Sequence, residues 1–505
     1  VLSGTTYSNL EINNASGVTL SGTATVNGTL ILTAGALSAG TGTLNINNGT
    51  SVTGGSITSA ATGTVNYGQT SNGQTVLAGN YGNLTFSNFN KVLPLMTVGI
   101  AGTFTPGSAV GHTVTGSNIN FNGTSAQTIP VFPYVGLTLA NAAGASLGGT
   151  LIVNGSLGLA SGVLNVGTNN LTLNAAAAQT GGSFNSAATG TVFYNQGSDG
   201  QNVLTGNYGN LAFSNFNKTL PAGTVGIAGN FTPGLGTPTV TGNTINFNGT
   251  SAQTIPVFPY NGLTLNNATG ATLLGNVSVT GGLILTNGIL ATGFNTLTVA
   301  SGGTMSSTTG YVIGNLRKDL VLGNLQQSPS ATFTFPVGTA TGFSPVTANF
   351  SGTGSLTVRA FDGTAPSTPA LSDATTLDRY WQLTETGDIT ASLTFNYLQA
   401  DVDGLETNYR MIRAAAGSPP IRFPNGAPCP GAGSPCVDSG ANTIFSNNVQ
   451  TFDNFWTAGE PVAPTAANVM VSGRVFAEGG GLRNAIVTIT DSQGVTRSTR
   501  TSSFG

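Results

Sequence analysis

The chain has 505 residues, of which 13 are Lys or Arg and 16 Asp or Glu, 6 % in all, with 74 Gly, 22 Pro, two Cys and one His. An ordinary globular protein is about a quarter charged, so acids, bases and metal ligands for an active site are scarce, and no catalytic, cofactor or metal residues are nominated. A net charge of −3 gives no field for phosphate, which excludes nucleic acid as a partner.

Disorder is excluded too, because 39 % apolar residues with so little charge have much to bury and little self-repulsion. No apolar run reaches the roughly 18 residues of a membrane-spanning helix. The charge is uneven: up to Leu316 the only charged residues are Glu11, Lys91, Asp199 and Lys218, and all others follow. That step marks a change of structure.

In chain order, the opening lacks a Met, a basic region and an apolar region, which reads as a mature secreted chain whose export signal lies outside it. Repeats come next. GNYGNLTFSNFNK at 79–91 returns as GNYGNLAFSNFNK at 206–218, and NFNGTSAQTIPVFPY at 120–134 returns unchanged at 246–260. Tyr7, Tyr134 and Tyr260 fall in phase, each with a Leu three residues on (Leu10, Leu137, Leu263). A finer plan, polar turn, Gln-Thr, strand and Tyr-x-x-Leu, recurs within each long repeat of about 127 residues.

Residues 1–310 alternate Val, Leu or Ile with Thr, Asn or Ser and break at Gly or Asn-Gly, which reads as strands. Stacked coils set like residues above like, so charge repels while Asn and Thr ladders satisfy each other. The expected fold class is therefore all-β, a repetitive β-solenoid resembling a parallel β-helix; a string of β-sandwiches is the alternative. At about 20–25 residues per coil, about 13 to 15 coils and a rod about 60–70 Å long are expected.

From 311 to 461 the phrases FTFPVGTATGFSPVTANF, RYWQLTETGDITASLTFNY and VQTFDNFWTAGEP predict an antiparallel β-sandwich. Residues 462–468 read as a linker. Cys429 and Cys436 bracket CPGAGSPC, where a disulfide closes easily and would mark an oxidising compartment; two unpaired thiols are the alternative. Trp381 and Trp456 are candidate ligand-stacking aromatics, weighed against core packing.

Other residues read blandly. His112 is a turn residue, since the second repeat has Pro238 there. Lys91 and Lys218 are equivalent, and solvated turn lysines are expected. Asp401, Asp403 and Glu406 hold part of a calcium loop but lack its third ligand before Gly404. Acid pairs such as Asp373 with Asp378 or Glu385 with Asp388 could serve a glycosidase, yet the solenoid is nearly bare of acids, and no enzyme is expected.

The segment from 469, with SGRV at 472–475, the glycines 479–481 and NAIVTITDSQG at 484–494, resembles the opening of a carboxypeptidase-regulatory-like domain, which implies a partial small β-sandwich over 469–505. More widely, NYGNLTFSN, NFNGTSAQTIPVF, FPVGTATGFSPV, RYWQLT and FDNFWTAGEP resemble exported bacterial surface proteins of the filamentous-adhesin and autotransporter-passenger style. The resemblance implies a cell-surface or extracellular location and a structural or adhesive role. From the uncharged β-rod and its strand edges, self-association into a filament through β-edge pairing is expected, with strand donation between subunits as one form of it. The alternative is an adhesin that binds cell-surface or matrix glycans and is displayed on a passive rod.

Overall fold

In a computed structural model of the chain, residues 4–321, 331–423, 436–461, 473–477, 480–490 and 496–502 are described. They are almost entirely strand and turn, with three short 3-10 segments, and build a β-solenoid of about 16 turns. The chain divides into two compact units, Val1–Glu460 and Pro461–Gly505.

Each coil has three short strands on three faces. In one coil these are Thr43–Ile46, Thr50–Val52 and Gly55–Thr58. Coils stack in parallel, so side chains one coil apart lie in line. On the first face Tyr7, Val26, Ile46, Tyr67 and Phe86 form one inward column. On the third, Tyr81, Ile100, Phe121, Leu139 and Leu159 form another. The period-2 alternation of apolar and polar residues drives this, because alternate side chains of a strand point to opposite sides. The alternation read from sequence is what the burial shows, with Leu44 and Ile46 buried and Thr43 and Asn45 half-buried.

Polar corners stack as ladders. Asn47 donates to Asn27 at 2.9 Å, and Asn195 to Asn174 and Asn174 to Asn154 at the same distance. One corner demands glycine: Gly35, Gly162 and Gly288 have φ of +74°, +76° and +86°. A Cβ at each would lie 1.8 Å from the carbonyl oxygen of Asn14, Asn141 or Asn267 in the coil before. No L side chain fits so close an approach.

The repeat and the coil are out of step. Leu10 lies on the second face, paired with Leu30. Its equivalent Leu137 pairs with Ile119 on the third face. Leu263 pairs with Ile245, in a ladder continuous with the strand at Gln127–Ile129 on the first face. A repeat of about 127 residues thus spans six coils and one face, about 20 residues per coil, and each repeat is turned by about a third of a revolution.

The Gln-Thr motif marks the places where a ladder is interrupted. No strand pairing joins Thr50–Val52 to Gln74–Thr75, Phe104–Thr105 to Gln127–Ile129, Ala177–Gln179 to Gln201–Asn202, or Phe231–Thr232 to Gln253–Ile255. At each break the glutamine side chain takes over. The Nε2 of Gln127 donates to the carbonyls of Ile100 and Gly102, both at 2.8 Å, while Oε1 accepts from Gly123 N–H at 3.0 Å. Gln74, Gln201 and Gln253 repeat this two-carbonyl clamp.

Apart from half-buried Tyr7, the tyrosines of Tyr-x-x-Leu are buried with their hydroxyls satisfied. Leu77 N–H donates to Tyr67 at 3.0 Å, Tyr81 lies 2.9 Å from Tyr67, and Tyr81 donates back to the Leu77 carbonyl at 2.6 Å. The ring recurs at Tyr194, Tyr208 and Leu204. In the shorter units Tyr134 and Tyr260 donate instead to the carbonyls of Pro130 and Pro256.

Beyond the last coil the pairing turns antiparallel without a break in the sheet. Tyr311–Val321 runs parallel to Ile289–Val299 along its length, and its second half pairs antiparallel with Val346–Asp362. That strand pairs with Arg379–Asn396 over all of its 17 residues. Asn454–Gly459 and Thr443–Val449 lie on the far side of Arg379–Asn396, and Arg410–Ala415 and Ser418–Arg422 continue outward from Asn454–Gly459. In the second unit, Ile486–Thr490 and Thr496–Arg500 form an antiparallel pair.

Candidate functional site

The residues nominated from sequence sit in interior positions or in structural contacts. Trp381 and Trp456, the candidate ligand-stacking aromatics, are both fully buried. Their ring N–H groups donate to the carbonyls of Ser344 at 2.9 Å and Phe452 at 3.2 Å, and both pack on Phe395. An indole with its faces covered and its donor spent presents nothing to a sugar, and core packing accounts for both.

Lys91 and Lys218 are also buried rather than solvated. The Lys91 amine donates to Ser87 Oγ at 2.6 Å and lies 3.5 Å from the Gln69 carbonyl; the Lys218 amine donates to Ser214 Oγ at 2.8 Å. The serine four residues before each lysine, in SNFNK, is the signal that could have shown this. Burial pushes the Lys91 amine down to about 8 from 10.5. Burial lowers Lys218 as well, with Asp199 opposing it.

This sets a pH dependence. A lysine with its folded pKa depressed binds its proton less tightly folded than unfolded, so stability should rise between about pH 8 and the unfolded value of 10.5. Thermal melts across that window should show the rise, and Lys91→Met should flatten it. Equal slopes in the two proteins would refute the assignment.

His112 is a buried neighbour of the same place. Its Nδ1 accepts the Lys91 backbone N–H at 2.9 Å, its ring packs on Phe86 and Phe132, and burial lowers its pKa. Cys436 is buried, while Cys429 lies outside the described residues.

Two acids of the DVDGLE segment have separate structural partners. Asp401 pairs with buried Arg379, and Glu406 accepts from Tyr397 at 2.7 Å and from Gln399 at 3.1 Å. Burial and then Asp373 raise the pKa of Asp378, and burial and then Asp453 raise that of Glu385. Among the described residues, no three His, Cys, Asp or Glu side chains gather as a metal site, and no helix is long and apolar enough to cross a membrane.

The remaining candidates are the ends of the coil stack, which differ. At the first described coil, Thr5–Tyr7, Leu10–Asn13 and Val18–Thr19 pair in parallel with the coil after them. At the last coil Tyr311–Val321 is covered by further strands, while Thr304–Ser307 pairs with the coil before it. Within the stack, carbonyls of a corner turn are met by N–H groups of the next coil: Ala60 N–H to Gly40 and Thr64 N–H to Gly42. At the final turn, Lys318 does this instead. Its buried ammonium donates to the carbonyls of Ala300, Ser301 and Gly303 at 2.6, 3.1 and 2.8 Å, and lies 5.4 Å from the Phe333 ring centroid. One side chain therefore replaces two backbone donors of a further coil.

Compared with protein-family models, curated proteins and solved structures, the chain matches none.

Proposed function

We propose that the chain is a non-enzymatic structural protein of the cell exterior, a fibre or stalk subunit that assembles by β-edge pairing. The observation that supports this reading is the stack itself, parallel coils joined strand edge to strand edge around continuous apolar columns. Unpaired strand edges are templates for another strand, and strand addition supplies affinity through the backbone. The near absence of charge before Arg317 removes repulsion between stacked coils. Strand donation between subunits is the specific form proposed.

The antiparallel part is read as a sandwich that the solenoid carries. Trp381, Phe395 and Trp456 pack on one side of its sheet, and Tyr380 and Phe455 pack with a second cluster around Ile412 and Leu371. The alternative, a glycan-binding adhesin on a passive rod, loses the two indoles on which it rested.

Electron microscopy of the purified full chain tests the reading. Filaments growing with concentration are expected. Particles that stay single at every concentration would overturn it.

A further inference from the structure

The solenoid bears an apolar ridge along one corner. Phe216, Leu235, Val257, Leu274 and Phe294 occupy the corner between the second and third faces on successive coils, and all are exposed, Leu235 by 85 % and Phe294 completely. Stacking contacts hold the column together. Gly236 lies on the Phe216 backbone, a Cβ on Gly275 would touch Val257, and Thr296 N–H donates to Asn276 Oδ1 at 2.9 Å, which sets Phe294 over Leu274. Five coils at about 4.8 Å make a ridge about 19 Å long. Isolated exposed apolar residues are ordinary, but a contiguous row marks a contact surface.

We propose that this ridge is where a second copy of the chain packs side by side. Charge decides the occupant. From Gly200 to Leu316 the only charged residue is Lys218, and its amine is buried, so a charged partner gains nothing here and would lose hydration. With no basic residue to attract headgroups, a membrane surface is likewise disfavoured. The chain's own solenoid is uncharged in the same way and carries a shorter exposed row, with Val110 and Val131, at the corner between the first and second faces. Apolar, uncharged centres are what interfaces are built around.

Area sets the strength. A row of five side chains buries a few hundred Å² per partner, short of the roughly 800 Å² of a stable interface. Each lateral contact is therefore weak alone, and contacts add when subunits are joined end to end. This last step rests on the proposed fibre.

Sedimentation velocity of the full chain is the test, with Leu274→Asn/Phe294→Asn as the ridge variant and Leu95→Asn, exposed on the same corner several coils before the ridge, as control. Concentration-dependent association is expected in the parent and the control, weakened about tenfold or more in the ridge variant. A parent monomeric throughout, or a ridge variant that associates like the parent, would overturn the proposal. Ridge-dependent flotation of the parent with phosphatidylcholine vesicles would overturn it in favour of a lipid surface. The two proposals separate by microscopy: single filaments that no longer bundle in the variant support both, whereas side-by-side dimers without filaments leave the ridge standing and remove the fibre.

Discussion

Arg379→Met is expected to destabilise the antiparallel part by about 3–5 kcal/mol, the cost of breaking a buried ion pair from one side. Arg379 has no exposed surface and Asp401 very little. The guanidinium donates through Nε and Nη2 to both Asp401 oxygens, at 2.5 and 3.0 Å, and to the hydroxyls of Thr339 and Thr341, both at 2.7 Å. Those threonines donate onward to Asp362 at 2.6 and 2.7 Å. One side chain thus ties Val337–Thr339, which pairs with the last coil, to the start of Arg379–Asn396 and to the 3-10 turn Gln399–Asp401. Methionine would leave the Asp401 carboxylate buried without its cation. Both tryptophans of the chain lie in this part, so denaturant unfolding followed by their fluorescence reads it directly. Arg379→Met/Asp401→Leu, which removes both charges, should recover a good part of the loss. A midpoint unmoved by the single change would refute the clamp.

Gln127→Leu is the second large effect, about 4 kcal/mol. Its amide makes four buried hydrogen bonds: two to carbonyls of the coil below, one from Gly123, and one from Asn141 Nδ2 at 2.9 Å. Leucine is near in size but leaves these groups unpaired, at about 1–3 kcal/mol each before relaxation. Coils depend only on their neighbours, so the damage should be local. Amide exchange should quicken around Ile100–Gly102, Gly123 and Asn141 and stay unchanged beyond about two coils. Uniform loss of protection along the stack would argue against the ladder-break role.

Much of the architecture was legible because it rests on side-chain alternation and on repetition. Segments such as TLNI and NLTF carry their inward positions openly, and the shared Gln-Thr and Tyr-x-x-Leu phrases locate the clamps and hydroxyl rings without showing what they bind. The partners lie in other coils, and which residue falls beneath which depends on turn lengths that alternation does not reveal. Lys91 illustrates the limit. As an isolated lysine next to Asn it reads as solvated, and only the stacking of Gln69 and His112 against it makes the site interior. Trp381 and Trp456 failed as surface candidates for a related reason: pairing places them directly opposite each other across two strands. The coil count exceeded the expected 13 to 15 because coils run nearer 20 residues than 25, and because the stack extends through Tyr311–Val321.

The mismatch between repeat and coil makes the solenoid a screw. Had the duplicated segment measured six whole turns, every copy of a patch would point along one line and a partner could bind the rod from a single side. The extra third of a turn sends successive copies to successive headings, so three copies would restore the first heading about 90 Å farther on. A duplication of this length is tolerated only if a strand can serve on any face, so the three walls of the prism must be interchangeable. Lengthening such a rod by whole repeats would therefore wind its contacts around the axis, and a bundle of these rods would grow in three directions.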